Sequence, residues 1–373
     1  MSVPFLDLHR QYAAIRPAIE AAVASVLQSQ RFILGPEVEQ LEQEIAAACA
    51  TRHGVGVASG TDALILALAA NGVGPGDAVV TSPFSFFATA SSIARLGARP
   101  VFADINPATY NLDPVSVSIH APKGARALMP VHLFGQCADV ETLTEAARAA
   151  GASGIKVVED AAQAIGAARH GKPAGSLGEA GCLSFYPTKN LGGAGDGGMV
   201  VTNDDDIALR VRRLRAHGDV GRYDHRELGM NSRLDTLQAA ILVVKARHLA
   251  QWNDARRARA ASYESLLADA GGDLVLPATE PGNLHTYHQY VIRTRRRDAL
   301  AGHLNQRGIG CAVYYPIPLH LQACFSSLSH RAGDFPVAES ACREVLALPL
   351  YPELTNEEQV QVADAIRTFY RTA

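Results

Sequence analysis

Apolar residues recur every three or four positions over the first thirty residues of the chain. The series consists of Leu8, Tyr12, Ile15, Ile19, Val23 and Leu27. This spacing places the side chains on one face and predicts an amphipathic helix, which Pro17 starts or kinks. A second helix is expected over residues 36–49, because Pro36 and Glu37 would occupy its first turn.

Between residues 54 and 216, short apolar runs alternate with helical patterns. Strands are predicted at residues 54–58, 78–81, 99–103, 125–131, 155–159, 182–186 and 197–202. Helices are predicted at residues 63–70, 86–96, 140–150 and 204–216. Repeated strand–helix units imply an α/β fold, in which helices flank both faces of a mostly parallel sheet.

The last third of the chain has a different order of elements. A long helix is predicted from Leu234 past Trp252, and it would link two domains. The later pattern predicts two strands, a helix between them and a last helix opened by a capping box, at residues 289–293, 312–315, 298–307 and 356–370. We therefore predict a large domain at residues 1–245 and a small C-terminal α+β domain at residues 246–373.

Composition narrows the class of protein. The 373 residues are 48% hydrophobic and 19% charged, which is the balance of a globular chain with a large core. The net charge of −3, without a basic block, argues against a nucleic-acid partner. No apolar run approaches the roughly 20 residues of a membrane helix, and residues 1–12 lack the apolar core of a secretory signal. We expect a cytoplasmic protein without a membrane partner.

The cysteines are spread along the chain with no metal-ligand spacing. They are Cys49, Cys137, Cys182, Cys311, Cys324 and Cys342. In a chain of this size the pattern predicts reduced, mostly buried thiols and no metal site.

Lysine is rare in this chain, which has five lysines and 29 arginines. Lys189 is the only charged residue between Glu179 and Asp196, and five of the seven residues from Gly192 to Gly198 are glycine. Arginine stays protonated, whereas lysine can lose its proton and form a Schiff base. The position therefore favours a reactive amine. An ordinary surface lysine with an extended stem is the alternative that this stretch leaves open.

The glycines after Lys189 also match the dinucleotide fingerprint G-x-G-x-x-G, at Gly193, Gly195 and Gly198. That fingerprint requires a helix to open at the glycines. Here residues 199–202 are strand-like, so a nicotinamide cofactor is not expected. A P-loop and a G-x-S-x-G elbow are also missing, which leaves nucleoside-triphosphatase and serine-hydrolase functions without their starting residues.

Several polar or aromatic residues follow predicted strands, where parallel sheets bind their ligands. They are Ser59 to Asp62, Ser85, Phe86, His132, Asp160 and Gln163. The turn after the first strand could bind a phosphate, or Ser59 or Thr61 could simply cap the helix. Asp160 could pair with a cationic ring nitrogen, or it could cap a short helix. Gln163, three residues later, would share the face of Asp160.

Together these features match the needs of one cofactor. The chain offers a lysine amine, an acid for a ring nitrogen and a turn for a phosphate. Phe86 could cover a flat ring, although an ordinary core aromatic is the alternative at that position. Pyridoxal 5′-phosphate requires all four functions from its protein. Their joint presence at one sheet edge predicts that cofactor.

The chain resembles the DegT/StrS-type sugar aminotransferases from about Val3 to its C-terminus. The shared motifs are VPFLDL, SGTDAL, VVEDAAQAIGA, SFYPTKNLGGAGDGGMV, GMNSRLDTLQAAIL and YYPIPLH. This resemblance implies a fold-type I enzyme that aminates a nucleotide-linked keto-sugar, with glutamate as the expected donor and pyridoxamine 5′-phosphate as the amino-carrying form. It also implies a homodimer with active sites shared across the interface. The opening Phe5-Leu6-Asp7-Leu8 is similar to members that aminate C3 of the hexose rather than C4.

The same resemblance gives each cofactor residue a role. Lys189 would be the Schiff-base lysine and general acid/base, and Asp160 would pair with the pyridine nitrogen. Gln163 would lie near the ring hydroxyl, and Phe86 would stack on the ring. The phosphate would be held by Gly60, Thr61 and Ser184, and by Asn231 of the other subunit.

Three further residues fall in segments that line the sugar-nucleotide site of the family, namely Arg233, Tyr315 and His320. For His320, and for His132, a structural hydrogen bond is an equal alternative. Two other functions stay open. Related sugar dehydratases carry histidine where this chain has Lys189, and a non-catalytic regulatory protein could retain the fold.

Overall fold

The computed structural model describes residues 2–371. The helices are α1 (Leu8–Ser29), α2 (Pro36–Ala48), α3 (Gly60–Ala70), α4 (Ala88–Arg95), α5 (Pro114–His120), α6 (Val140–Ala149), α7 (Asp205–Leu214), α8 (Thr236–Ala246), α9 (Leu249–Leu267), α10 (Arg297–Gln306), α11 (Pro336–Glu344) and α12 (Asn356–Arg371). The strands are β1 (His53–Val57), β2 (Ala78–Thr81), β3 (Arg99–Phe102), β4 (Ala127–Met129), β5 (Lys156–Asp160), β6 (Ala168–Arg169), β7 (Lys172–Pro173), β8 (Ala180–Ser184), β9 (Gly198–Thr202), β10 (Asn283–Leu284), β11 (Tyr290–Arg293) and β12 (Val345–Leu348).

The central sheet has seven strands in the order β1-β9-β8-β5-β4-β2-β3. β9 runs antiparallel to both of its neighbours, and the other neighbouring strands pair in parallel. The mostly parallel sheet is therefore confirmed. Because the remaining strands run in one direction, the carboxyl ends of β1, β2, β4, β5 and β8 meet at one edge.

Both faces of this sheet are covered by helices. Consecutive strand residues point to opposite faces, and they enter different apolar cores here. Cys182 and Val200 belong to the core that contains α3 and α7, whereas Leu183 and Val201 belong to the core that contains α2 and α8. The α/β fold class predicted from the sequence is confirmed.

A separate core, apart from the two that cover the central sheet, surrounds a two-stranded sheet. β11 and β12 pair antiparallel, and α9, α10 and α12 pack around them. Tyr263, Tyr290 and Tyr351 are fully buried in this core, and Val3 from the opposite end of the chain joins it. This is the smaller α+β part of the fold. The boundary between residues 245 and 246 stays a prediction.

The prediction of one long linking helix from Leu234 past Trp252 was wrong, because two helices occupy these residues. α8 ends at Ala246, and α9 begins at Leu249. Between them the N–H of His248 donates to the carbonyl oxygen of Lys245 at 3.0 Å, which is a tighter turn than that of an α-helix. The His248 ring stacks on Trp252, with ring centroids 5.5 Å apart. Histidine is compatible with a helix, so the local pattern does not mark the break.

The strand predicted at residues 312–315 was also wrong. Ala312 forms an isolated bridge with Ala347, and the partner of β11 is β12. β12 is buried along its whole length, and such a short apolar run has no period that distinguishes a strand. The capping box of α12 is confirmed, since the Thr355 N–H donates to Glu358 and the Glu358 N–H donates to Thr355.

The first helix is continuous from Leu8 to Ser29, so Pro17 lies within it and does not begin it. None of the helices described in the structure combines the length and the apolar character needed to cross a membrane. All six cysteines are free thiols. Within residues 2–371 no group of histidine, cysteine and acidic side chains is arranged to hold a metal ion.

Candidate active site

The turn between β1 and α3 lies against the end of β8. The Ser59 hydroxyl accepts a hydrogen bond from the Asp62 N–H at 3.1 Å, so the helix cap exists. The first N–H groups of a helix lack intrahelical acceptors, and this cap leaves those of Gly60 and Thr61 for a ligand. A side chain at Gly60 would place its Cβ 2.6 Å from Ser184 Cβ, so glycine permits this approach. Gly60, Thr61 and Ser184 thus meet in one small cradle.

Asp160 is the last residue of β5 and is buried. Its Oδ2 accepts a hydrogen bond of 2.7 Å from the Thr89 hydroxyl, and its Oδ1 accepts one of 3.3 Å from the Ala162 N–H. Burial raises the pKa of Asp160, whereas these donors and the positive charge of Lys189 oppose the shift. The carboxylate is therefore held at the sheet edge by neutral donors, within electrostatic reach of Lys189 and His132.

Lys189 lies in the loop after β8 and is half-buried. Burial lowers the pKa of its amine from 10.5 to about 8, and the nearby Asp160 carboxylate opposes that shift. No hydrogen bond or ion pair holds its Nζ within residues 2–371. An amine that is withdrawn from water and has no partner can lose its proton near neutral pH, so this is not an ordinary surface lysine.

Residues that the sequence did not single out hold the lysine loop. Asn190 is buried, and its amide donates to Asn253 Oδ1 at 2.8 Å. Its Oδ1 lies 3.1 Å from Nδ1 of the buried His288. On the other side, the Lys245 amine donates to the Gly192 carbonyl. The scarcity of lysine in the chain could have drawn attention to Lys245. Its role became visible only from the packing of α8 against the lysine loop.

The segment after residue 310 closes the site from the side of the smaller core. The Gln163 amide donates to the Tyr315 hydroxyl at 2.9 Å, and its carbonyl oxygen accepts from the Phe134 N–H at 2.8 Å. The Phe86 ring is 57% exposed, and its centroid lies 6.3 Å from that of Tyr315. Phe86 is therefore not a core aromatic, and its face is free to cover a ring.

The two histidines occupy structural positions. His132 is fully buried, with Nε2 2.7 Å from Glu159 Oε2 and Nδ1 accepting from the Ala138 N–H at 3.0 Å. His320 is buried with Nε2 3.1 Å from Glu339 Oε1, while its Nδ1 has no partner among the described residues. The structural hydrogen bond is thus formed at both positions, and a substrate contact by His320 stays a prediction.

The segment around Asn231 approaches the phosphate turn through its neighbour. Ser232 donates its hydroxyl hydrogen to Asp62 Oδ2 at 2.7 Å. Asn231 itself is exposed, whereas Arg233 is half-buried, and its Nε lacks a hydrogen-bond partner in the part of the chain that the structure describes. This placement leaves the Asn231 side chain at the surface of the chain and leaves the Arg233 Nε without an acceptor among the described residues.

Comparison with known proteins decides the family. The model of the DegT/DnrJ/EryC1/StrS aminotransferase family matches residues 13–367. The chain belongs to this family. It is 51% identical to the pleiotropic regulatory protein of Geobacillus stearothermophilus, over 100% of this chain and 99% of that protein. It is 44% identical to the dTDP-3-amino-3,4,6-trideoxy-alpha-D-glucose transaminase of Streptomyces venezuelae, over 98% and 95% of the two chains.

Solved structures agree with this assignment to the DegT/DnrJ/EryC1/StrS aminotransferases. The crystal structure of S. venezuelae DesV in complex with a ketimine intermediate superposes with a TM-score of 0.95 at 44% identity, covering 99% of this chain and 98% of that one. The fold-type I architecture and the aminotransferase class predicted from the sequence are therefore confirmed.

The site fits pyridoxal 5′-phosphate, the cofactor expected of a DegT/DnrJ/EryC1/StrS aminotransferase. A side chain at Gly60 would collide with Ser184, so the backbone at the start of α3 stays uncovered there. The Lys189 amine has no hydrogen-bond or ion-pair partner among residues 2–371, and the buried Asp160 carboxylate interacts with it electrostatically. These residues supply a phosphate site, an amine and an acid, which are the contacts that the cofactor requires.

Proposed function

We propose that the protein transfers an amino group to a nucleotide-linked keto-sugar with pyridoxal 5′-phosphate as cofactor. The half-buried, unpartnered amine of Lys189, opposite the buried carboxylate of Asp160, carries this proposal. We further propose amination at C3, with glutamate as donor. Support for C3 comes from the opening Phe5-Leu6-Asp7-Leu8 and from the name of the S. venezuelae relative.

The bound cofactor would supply an electron-withdrawing ring that carries the amino group between donor and acceptor. Asp160, held by Thr89, would keep the ring nitrogen protonated. The N–H groups of Gly60 and Thr61, with the Ser184 hydroxyl, would hold the phosphate at the start of α3.

Lys189 would move a proton between carbon centres, because its pKa of about 8 allows it to accept and return one near neutral pH. Phe86 would cover one face of the ring and exclude water from it. Gln163 would lie beside the ring hydroxyl while its hydrogen bond to Tyr315 connects that position to the substrate segment.

We propose that Arg233, Tyr315 and His320 lie along the sugar-nucleotide site. Arg233 offers an Nε without a protein acceptor, which is suited to a phosphate oxygen of the nucleotide. Tyr315 accepts its hydrogen bond from Gln163, so its own hydroxyl hydrogen is free for the sugar. His320 would contribute through its Nδ1, which has no hydrogen-bond partner among the described residues.

We also propose a homodimer with shared active sites. Apolar residues of α1 and the following loop stay exposed in a single chain, with Leu8 at 38%, Leu27 at 49% and Ile33 at 51%. Leu228 is fully exposed close to Asn231, the residue expected to reach the other subunit. A second copy of the chain would cover this apolar surface.

The test uses ¹⁵N-labelled glutamate and a panel of nucleotide-linked 3-keto- and 4-keto-sugars. We expect the label in a 3-amino sugar, identified by mass spectrometry and NMR. Lys189→Ala should abolish transfer, whereas the matched change at the exposed Lys172 should leave it intact. Normal turnover by Lys189→Ala would contradict the proposed role of this amine.

The regulatory function remains a second candidate, because the relative at 51% identity carries that name. Retention of the amine, the acid and the phosphate cradle favours catalysis. Purified protein that contains no pyridoxal 5′-phosphate and takes none up would support the regulatory function instead. A deoxygenated sugar formed without incorporation of ¹⁵N would support the dehydratase alternative.

A further inference from the structure

Two buried hydroxyls lead to the carboxylate of Asp160, one from the turn before α4 and one from α4 itself. The Ser85 and Thr89 hydroxyl oxygens lie 2.8 Å apart, and Thr89 Oγ1 lies 2.7 Å from Asp160 Oδ2. Ser85 is 3% exposed and Thr89 is fully buried. Hydrogen bonds between buried groups are not diluted by competing water, so these contacts are strong determinants of local geometry.

The direction of each hydrogen bond follows from proton count. An ionised carboxylate only accepts, so Thr89 donates its single hydroxyl proton to Asp160. Thr89 can then act only as an acceptor toward Ser85, which donates to it. The relay runs from Ser85 through Thr89 to Asp160 when the carboxylate carries its charge. Protonation of Asp160 would remove the reason for this order.

The same short segment also presents the exposed aromatic ring of the site. The Thr89 N–H donates to the Phe86 carbonyl oxygen at 3.1 Å, so one turn of backbone joins the two residues. Phe86 projects its side chain toward solvent, while Thr89 directs its hydroxyl to the acid. The hydrogen bond from Thr89 to Asp160 therefore connects the turn that carries Phe86 to the carboxylate.

We propose that Thr89, backed by Ser85, is a positioning residue that keeps Asp160 charged and in register with Phe86. The inference rests on the proposed function, in which Asp160 pairs with the ring nitrogen of pyridoxal 5′-phosphate. It adds two residues on α4 and its N-terminal turn to the machinery that acts on that nitrogen.

The electrostatics of the site agree with this role. Burial raises the pKa of Asp160, and the Thr89 hydrogen bond is the largest interaction that opposes the rise. The titratable groups that face Asp160 from the other elements are Lys189, His132, Cys182 and Tyr315. Apart from those within the backbone of α4, the hydrogen bonds of Thr89 go to Ser85, Asp160, Ser92 and Phe86 and to none of these four groups, so an altered pH response would report on the hydroxyl itself.

The experiment measures the dissociation constant of pyridoxal 5′-phosphate from the full-length chain between pH 6 and pH 8.5. Thr89→Val keeps the shape of the side chain and removes the donor, whereas Thr89→Ser keeps the donor. A hydrogen bond to a charged group accounts for about a tenfold change in affinity or more. We expect that loss in Thr89→Val, near wild-type affinity in Thr89→Ser, and a smaller loss in Ser85→Ala.

The pH response separates positioning from a general structural effect. Without the Thr89 donor the pKa of Asp160 rises further. As the pH is lowered, the carboxylate of Thr89→Val therefore takes up its proton at a higher pH than that of the wild type does. The deficit of Thr89→Val should therefore be larger at pH 6 than at pH 8.5. A deficit that is equal at every pH, or one that Thr89→Ser does not repair, would overturn the inference.

Asp160→Asn distinguishes failure of this inference from failure of the proposed function. If Asp160→Asn binds the cofactor as wild type does, the assignment of Asp160 itself is wrong. If Asp160→Asn binds weakly while Thr89→Val binds normally, only the role of Thr89 is overturned. If Thr89→Val does not fold, the test rests on Ser85→Ala. An unchanged cofactor affinity and pH profile in Ser85→Ala would contradict the relay.

Discussion

Replacing Lys189 with methionine should stabilise the cofactor-free protein at neutral pH. Methionine retains most of the length of the side chain and has no charge to desolvate. Burial lowers the pKa of Lys189 from 10.5 to about 8, so the folded protein binds this proton less tightly than the unfolded chain does. At 1.36 kcal/mol per pKa unit, the difference costs the folded state about 3 kcal/mol while both states are protonated.

Lys245 provides a matched control. Burial also lowers the pKa of its amine to about 8, but this amine donates a hydrogen bond to the Gly192 carbonyl. Lys245→Met would leave that carbonyl without its donor, which costs about 1–3 kcal/mol. We therefore expect the melting temperature to rise for Lys189→Met and to fall, or to rise much less, for Lys245→Met.

The assay is thermal unfolding of the cofactor-free protein at pH 7 and pH 9.5. As pH rises through about 8, the folded wild type loses the Lys189 proton and its penalty fades. The advantage of Lys189→Met should shrink accordingly. A Lys189→Met protein that melts below wild type at pH 7, or an advantage that does not change with pH, would refute the assignment of a desolvated, unpartnered amine.

Three further changes test other parts of the site. Gly60→Ala should weaken cofactor binding by about tenfold or more, measured by titration, because its Cβ would lie 2.6 Å from Ser184 Cβ; unchanged affinity would contradict the cradle. Glu159→Gln should lower the free energy of unfolding by about 2–4 kcal/mol. The Glu159 carboxylate accepts hydrogen bonds from three backbone N–H groups, and in the glutamine variant at least one of these donors would face the amide N–H₂ group in place of an acceptor. Asn190→Ala should reduce cofactor affinity because the lysine loop loses its contact to His288, whereas Asn190→Asp should partly retain that contact. Equal affinity in the wild type and both variants would show that other residues hold the loop.

Local pattern was sufficient for the main architecture and for naming the candidate residues of the site. Alternating apolar runs predicted the parallel sheet, and strand order along the chain placed the carboxyl ends at one edge. Lys189 stood out because the chain otherwise uses arginine. Asp160 and the turn at Gly60 were identified because each lies at the end of a strand, where a parallel sheet presents its ligands.

The alternatives left open by the sequence required the packed structure. Whether Lys189 was a surface lysine depended on its burial, and whether Phe86 belonged to the core depended on its exposure. His132 turned out to be held by Glu159, its partner 27 positions along the chain. The break between α8 and α9 was equally invisible, because its residues are compatible with a helix.

The α/β order of elements and the candidate amine and acid can be read from the amino-acid sequence, since period and residue type are local properties of the chain. Which distant groups hold these residues becomes visible when the elements are packed. Thr89 reaches Asp160 across 71 positions, and Asn190 reaches His288 across 98. Such partnerships depend on how finished elements pack against one another, and no period along the chain records that geometry.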